Sequence, residues 1–159
     1  ERKLRETPDI DPAFCFLTDG YNLRNTEINA KLGLLQLKGL DAGIEHRNAM
    51  LRIFLENLNS NLYKVDYLLD GCSNFAFPIF VKDKDNLRKV KHILKELKVE
   101  YRPCIAGNLN LHPLTKNLPK DFPDTNVQSI HDQCVYVGNH KDVTKDKIMS
   151  LCTMLNKDI

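Results

Sequence analysis

The chain has 159 residues, of which 42% are hydrophobic, and its 23 basic and 21 acidic side chains leave a formal net charge of +2. A chain of this length can bury well over half of its unfolded surface, which predicts one compact domain or a small domain with part of another. The balanced charge argues against strong non-specific binding to nucleic acid, and no apolar run approaches the ~20 residues that cross a bilayer. We therefore expect a soluble, cytoplasmic protein with no nucleic-acid or membrane partner.

Helical periodicity dominates the first part of the chain. Asn25 is a suitable N-cap, and apolar residues recur at helical spacing over residues 28–44. Gly39 and Asp41 can interrupt this helix, after which the spacing resumes over residues 44–58. We expect two helices or one long kinked helix, with burial on more than one side because so many positions are apolar.

The second half mixes strands with helices. Pro78 restricts its strand to an edge or a bulge, and the stretch from 103 to about 130 has little regular pattern, which is typical of a functional loop. The order predicts an α+β fold: long helices lead into a small, largely antiparallel sheet with helices packed on one face. The predicted elements are a strand at 74–81, an amphipathic helix at 83–99, a short strand at 99–102, a buried strand at 134–138 and a last helix capped by Thr144.

The five cysteines are scattered and include no CxxC pair. This pattern is typical of reduced intracellular thiols, and without a CxxC pair the sequence does not indicate a zinc knuckle or a redox couple. No metal site is expected. The five are Cys15, Cys72, Cys104, Cys134 and Cys152.

Composition and periodicity alone also fit a non-catalytic α+β binding module, such as a ferredoxin-like RNA-binding domain. An RNA-binding sheet of that kind exposes aromatic side chains on adjacent strands. The strand at 134–138 offers only Tyr136, and no matching partner motif with Arg or Lys, Gly and an aromatic residue is present. The binding module is therefore the weaker alternative.

Three local patterns point further, because they resemble motifs of a known family. GYNLRNTEINAKLGLLQLKGLD, residues 20–41, resembles the turn and helix of the fold-type I nucleotide-sugar aminotransferases that depend on pyridoxal 5′-phosphate (PLP), the DegT/DnrJ family. VEYRPCIAGNLNLHP, residues 99–113, resembles a segment found in a branch that includes the deoxysugar 3-dehydratases. VYVGNH, residues 135–140, is similar to the closing strand of the family, although this motif is weak by itself.

The resemblance implies roles for two residues before the first helix. In the family, the asparagine of the Gly-aromatic-Asn turn contacts the PLP phosphate of the neighbouring subunit, which assigns cofactor binding to Asn22. Arg24 is a candidate for binding a substrate phosphate or carboxylate through its planar guanidinium, or it pairs with Glu27 on the surface. The alternative for Asn22 is a turn residue with no ligand.

Two further substrate contacts are expected in the second motif. Arg102 precedes a proline, which favours extended backbone and a rigid mount for a side chain that meets a phosphate or sugar. Asn108 follows Gly107 and is a candidate for hydrogen bonding to substrate, with a turn role as its alternative. His112 lies in the same segment, and a structural role is favoured for it over a catalytic one.

By the same resemblance, the lysine that holds PLP covalently lies upstream of Glu1, so no catalytic residue is assigned in this chain. We expect residues 1–60 to be a connector and helices from the end of a large domain, and 61–159 to be a C-terminal small domain. The implied protein is a homodimeric aminotransferase that uses an amino-acid donor and a nucleotide-linked keto-sugar, and the isolated fragment is expected to be inactive. A 3-dehydratase on the same scaffold is the alternative activity, in which histidine replaces the lysine.

Overall fold

A computed structural model of the chain describes residues 9–21, 23–117, 119 and 124–157. These ranges hold five α-helices and three β-strands, connected in part by short 3₁₀ turns. The helices are α1 (Glu27–Gln36), α2 (Leu40–Asn57), α3 (Asn86–Glu96), α4 (Thr125–Gln133) and α5 (Lys145–Lys157), and the strands are β1 (Ala76–Phe80), β2 (Tyr101–Pro103) and β3 (Cys134–Gly138).

The three strands form one antiparallel sheet in the order β1-β3-β2. The last strand in sequence is therefore the central one, and both of its neighbours are edge strands. Pro78 lies opposite Tyr136 in β1, where an edge position tolerates the missing N–H group. This placement confirms the expectation for Pro78.

The core lies between one face of the sheet and the helices α2, α3 and α5. Inward residues of β1 and β3 alternate with outward ones, as the pleat of a strand requires, and Phe77 contacts Phe54 of α2 with ring centroids 5.0 Å apart. The second half of α2 thus belongs to this core, while the expected domain boundary at residue 60 stays a prediction. The α+β prediction, with a small antiparallel sheet and helices on one face, is confirmed. Core residues that are at least 97% buried include Leu51, Phe54, Phe77, Ile79, Val90, Leu94, Val135, Val137, Ile148 and Leu155.

The turn after β3 ties the sheet to α2 through a buried amide. Asn139 is 2% exposed, and its Nδ2 donates to the carbonyl oxygens of Arg47 and Asn74, at 3.0 and 3.1 Å. Its backbone N–H donates to the carbonyl of Phe75 at 2.7 Å. Asn139 of the VYVGNH motif therefore stabilises the fold, because its buried amide satisfies backbone groups that would otherwise lack partners.

Helix α1 packs against none of this core. It has no buried residue, and Leu34 is 63% exposed. A 3₁₀ turn, Leu37–Gly39, joins α1 to α2, which confirms the expected kink. The exposed apolar residues of this region, here called the α1 face, are Ile28, Leu32, Leu34, Leu35, Leu37 and Leu40.

The N-cap of α1 is Thr26, so the prediction of Asn25 was wrong by one residue. Thr26 has extended backbone angles, and its Oγ1 accepts a hydrogen bond from the Asn29 N–H at 3.3 Å. Asn and Thr are both good N-caps, so residue preference alone could not separate the two neighbours.

The expected irregular segment from 103 to about 130 is partly wrong, because α4 begins at Thr125. The sequence of α4 contains only two aliphatic residues, Val127 and Ile130, and they are 43% and 39% exposed. A helix that buries no apolar face leaves little hydrophobic periodicity to detect. Polar contacts hold it instead: the Gln133 side-chain amide donates to the carbonyls of Val81 and Lys82, both at 3.0 Å. The short strand expected at 99–102 is found at Tyr101–Pro103.

Thr144 precedes the last helix as expected, and its Oγ1 accepts from the Lys147 N–H at 3.4 Å. Among the described residues, no helix is both long and apolar enough to span a bilayer.

The contrast between α3 and α1 makes a testable prediction. In the isolated 159-residue chain, Leu94→Ala should lower the free energy of unfolding by about 2–5 kcal/mol, because it leaves a cavity in the core. Leu34→Ala, the matched control on α1, should change it by no more than about 0.5 kcal/mol, as is usual for surface positions. Urea denaturation followed by circular dichroism measures both. Equal losses for the two variants would show that α1 packs against the core.

Candidate functional site

The segment that follows β2 carries strained backbone. Ile105, Ala106 and Gly107 are consecutive and have φ values of 41°, 64° and 69°. Left-handed backbone is easy for glycine but unfavourable for a β-branched residue such as isoleucine. Strain of this kind persists only where the surroundings enforce it, and it clusters at functional sites. Residues 104–115 are called the β2 segment below.

His131 of α4 explains why position 107 needs glycine. A Cβ atom built on Gly107 would lie 2.1 Å from His131 Nδ1, which is far inside any permitted contact. The same ring nitrogen accepts a hydrogen bond from the Asn108 backbone N–H at 3.2 Å. The histidine therefore occupies the space that a side chain would fill, and it anchors the β2 segment to α4.

Asn108 is 1% exposed, and its side chain is fully hydrogen bonded within the chain. Its Nδ2 donates to Gln128 Oε1 at 2.8 Å and to Asp124 Oδ2 at 3.2 Å. Its Oδ1 accepts from the Asn110 N–H at 2.9 Å. The buried Asn108 side chain therefore links the β2 segment to α4 through hydrogen bonds.

His112 fastens the N-terminal connector to the β2 segment. Its Nδ1 accepts from the Phe16 N–H at 3.0 Å, so the ring proton must lie on Nε2, which donates to the Ala106 carbonyl at 2.9 Å. The Phe16 ring stacks on the imidazole with centroids 5.2 Å apart, and the Leu114 N–H donates to the Phe16 carbonyl at 3.2 Å. With both ring nitrogens engaged in a buried position, His112 has the structural role that the sequence favoured.

Arg102 points from the edge strand β2 towards solvent. Its Nε and Nη2 donate to Glu100 Oε1 at 3.1 and 2.8 Å, and the hydrogen bond to this carboxylate raises the pKa of Arg102 above its usual value. The guanidinium also lies 6.0 Å from the centre of the Phe14 ring. Because this ion pair is exposed, it contributes little to stability, and the arginine is free to exchange Glu100 for an anionic ligand.

Arg102 borders a groove of about 470 Å³ between the sheet and the start of α5. The groove combines apolar side chains with charged and polar ones of both signs, and a site of this kind is suited to a ligand with a hydrophobic ring and a charged or polar group. Its charged and polar lining residues are Glu100, Arg102, Tyr136, His140 and Lys147.

Arg24 lies in the exposed connector before α1. Its carbonyl oxygen accepts from Asn29 Nδ2 at 3.3 Å, and no ion pair joins it to Glu27 in the described part of the chain. In the described ranges, no hydrogen bond or ion pair joins Arg24 to Arg102. The connector contacts Arg102 through the Phe14 ring and the β2 segment through Phe16. Asn22 lies outside the described residues.

The outer face of the sheet holds a second groove of about 690 Å³. Cys104 and Cys134 lie in its wall with their sulfurs 2.8 Å apart, a proximity that the sequence analysis missed. The Tyr67 hydroxyl is buried here and has no hydrogen-bond partner among the described residues. Burial raises the pKa of Tyr67, and the nearby Cys134 raises it further. Only the strand register, which the sequence does not state, could have paired the two cysteines. Within the described ranges, no group of three or more His, Cys, Asp or Glu residues is arranged to hold a metal ion.

The fit of Gly107 against His131 leads to a second prediction. Gly107→Ala should lower the free energy of unfolding by about 3 kcal/mol, because left-handed strain of about 1–2 kcal/mol adds to overpacking against the imidazole. Gly71 is the matched control, since it also has φ of 69° but no atom within 4 Å of its built Cβ. Gly71→Ala should therefore show the strain alone, and denaturant titration of both variants measures the difference. Equal losses would contradict the close approach of His131.

Comparison with known proteins places this geometry in context. The profile of the DegT/DnrJ/EryC1/StrS aminotransferase family matches residues 8–156. The GDP-4-keto-6-deoxy-D-mannose 3-dehydratase of Yersinia pseudotuberculosis is 29% identical over 160 residues, covering 93% of this chain and 40% of that protein. The dTDP-4-dehydro-2,6-dideoxy-D-glucose 3-dehydratase of Saccharopolyspora spinosa is 27% identical, covering 89% of this chain and 32% of that protein.

A solved structure shows the same fold. It is that of the E. coli GDP-4-keto-6-deoxy-D-mannose-3-dehydratase with bound hydrated PLP, which superimposes with a TM-score of 0.64 at 25% identity. The alignment covers 90% of this chain and 38% of the E. coli chain, so the chain spans about 40% of the length of the relatives it matches. Because the family profile covers nearly the whole sequence, the chain belongs to the DegT/DnrJ/EryC1/StrS aminotransferase family.

Proposed function

We propose that the protein containing this chain is a PLP-dependent enzyme that modifies a keto-sugar carried on a nucleotide. In this proposal, the chain contributes the C-terminal small domain, residues 61–159, and the connector and helices, residues 1–60, that end the large domain. The family match supports the proposal, as do similar proteins named for nucleotide-linked deoxysugars and a similar structure that contains PLP.

One structural observation supports this assignment. Within the stretch that bears the family motif, helix α1 stands clear of the domain core, and its apolar side chains are exposed. An exposed patch of this kind marks an interaction surface. It is the surface expected if α1 packs against a large domain and a second subunit, so we propose that the enzyme is a homodimer. We also propose that it is cytoplasmic.

The residues around α1 fit an anionic group such as the PLP phosphate. The first backbone N–H groups of a helix have no partner within the helix and carry partial positive charge. The exposed Arg24 stands just before them, and Thr26 caps only the Asn29 N–H. When bound, PLP supplies an electron sink for the reaction. Asn22 would bind the phosphate of the PLP in the neighbouring subunit. Arg24 would bind the substrate.

Arg102 is proposed to bind an anionic group of the nucleotide sugar. Its exposure, its planar donor fork and the adjoining groove support this role. A direct substrate contact by Asn108 stays a prediction. The observed hydrogen bonds of Asn108 support a positioning role, in which it holds the β2 segment beside Arg102.

Amino transfer from an amino acid, by family resemblance glutamate, to the sugar keto group is the first candidate reaction. The 3-dehydratase reaction is the second candidate, because the named relatives are 3-dehydratases. By the resemblance, the residue that separates the two reactions lies upstream of this chain. Incubating the intact protein with PLP, glutamate and a nucleotide-linked 4-keto-6-deoxysugar, followed by mass spectrometry, decides between them. An amino sugar supports the first and a 3-deoxy sugar the second, while an unchanged substrate would contradict both.

Asn22 provides a more specific test of the shared site. In the intact enzyme, Asn22→Ala should weaken PLP binding by about 1.5–3 kcal/mol, which corresponds to about ten- to a hundred-fold in affinity. Turnover at saturating PLP should change little, because a phosphate anchor binds the ground and transition states about equally. Asn25→Ala is the matched control, since Asn25 lies in the same connector and does not cap α1. Fluorescence titration with PLP measures both affinities.

The effect should also cross between subunits. A heterodimer of an Asn22→Ala chain with a chain that lacks the catalytic residue should keep one intact site and collect both defects in the other. It should therefore show about half of the wild-type activity at limiting PLP. If the loss follows Asn22 within its own chain, the shared-site assignment is wrong.

A further inference from the structure

Cys104 follows β2 directly, and Cys134 is the first residue of the neighbouring strand β3. The residues that pair in β2 and β3 are Tyr101 with Val137, Arg102 with Tyr136 and Pro103 with Val135. Continuing this register by one residue beyond β2 would place Cys104 opposite Cys134, and the two sulfurs do lie close together. Both are free thiols, of which Cys104 is partly exposed and Cys134 is buried.

This arrangement is suited to a disulfide bond. Residues directly opposite in an antiparallel pair have Cα atoms about 4.5–5.5 Å apart, which lies inside the range of about 4.4–6.8 Å seen for disulfides. The two sulfurs are 2.8 Å apart, so they need to approach by less than about 1 Å to reach the ~2.05 Å of an S–S bond. No rearrangement of the sheet is required.

We propose that Cys104 and Cys134 form a reversible intramolecular disulfide when the protein meets a small-molecule disulfide such as oxidised glutathione. The Cys104 thiolate attacks one sulfur of the reagent, which forms a mixed disulfide and releases one thiolate that takes up a proton. The Cys134 thiol then loses its proton and attacks the Cys104 sulfur, which releases the second small thiol. Two protein thiols are thereby oxidised by two electrons, and one small disulfide is reduced to two thiols.

The environment of the pair sets this order of attack. The hydrogen bond from the Cys134 thiol lowers the pKa of Cys104, whereas the same hydrogen bond and burial raise the pKa of Cys134. The thiolate is the attacking species in disulfide exchange, so Cys104 is the first nucleophile. It is also the accessible one, because it lies in the wall of the 690 Å³ groove on the outer face of the sheet.

The disulfide would join the start of the β2 segment to the central strand. Cys104 immediately precedes the three residues with left-handed backbone, Ile105 to Gly107, so the covalent link would fix the strained end of this segment. Reversible disulfides in intracellular proteins are commonly redox-sensing. This disulfide involves only Cys104 and Cys134 and would form whichever reaction the enzyme catalyses.

Peptide mapping of the intact protein tests the proposal. The protein is incubated with oxidised glutathione, the remaining thiols are alkylated, and a non-reducing digest is analysed by mass spectrometry. We expect a linked peptide that contains Cys104 and Cys134 and disappears on treatment with dithiothreitol. Cys72→Ser, the matched control, should form the same linked peptide to the same extent.

Removing the second thiol should trap the first step. In Cys134→Ser, Cys104 should accumulate as a mixed disulfide with glutathione, with a yield at least about tenfold above its steady level in the wild-type protein. A wild-type protein in which Cys104 stops at the mixed disulfide, links to a different cysteine or remains unmodified would overturn the proposal. The wild-type digest decides this even if the serine variant fails to fold.

Discussion

The structure depends on the central position of β3. This strand hydrogen bonds to β1 on one side and β2 on the other, and it separates two different environments. Val135 and Val137 face the helices and are at least 97% buried, whereas Cys134 and Tyr136 face the outer groove. Because side chains alternate across a strand, a register shift of one residue would exchange core and groove. The hydrophobic core therefore fixes the position of Arg102 on the neighbouring strand and of Cys104 directly after it.

Among the described residues, the connector contacts this framework through Phe14, whose ring lies near Arg102, and through Phe16. The hydrogen bond from the Phe16 backbone to His112 and the stacking of the two rings hold residues 14–16 on the β2 segment. Beyond them, α1 exposes its leucines, and its helical form rests on capping and on continuity with α2. Helices in proteins gain most of their stability from tertiary packing, so this region is suited to complete its burial on other parts of a larger protein.

The amphipathic α3, the strand β3 and the last helix were predictable from sequence, because each couples a clear periodicity to burial. Helix α4 was not, since Val127 and Ile130 bury no continuous face, and its contacts are polar. The site was predictable only in part. Arg102 is exposed, and its binding role stays a prediction. The hydrogen bonds of the Asn108 side chain and the Cys104–Cys134 pair depend on contacts between residues 16 to 30 positions apart. Such contacts follow from tertiary packing and leave no local pattern.

We propose that the α1 face is buried against other parts of a larger protein. Amide hydrogen exchange over residues 27–40, compared between the isolated chain and the intact protein, measures this burial. We expect rapid exchange in the isolated chain, because α1 has no buried residue and opens locally at low free-energy cost. In the intact protein the same amides should exchange at least about a hundredfold more slowly, which corresponds to about 2.7 kcal/mol. Equal exchange rates in the two proteins would show that α1 is not buried in the intact protein.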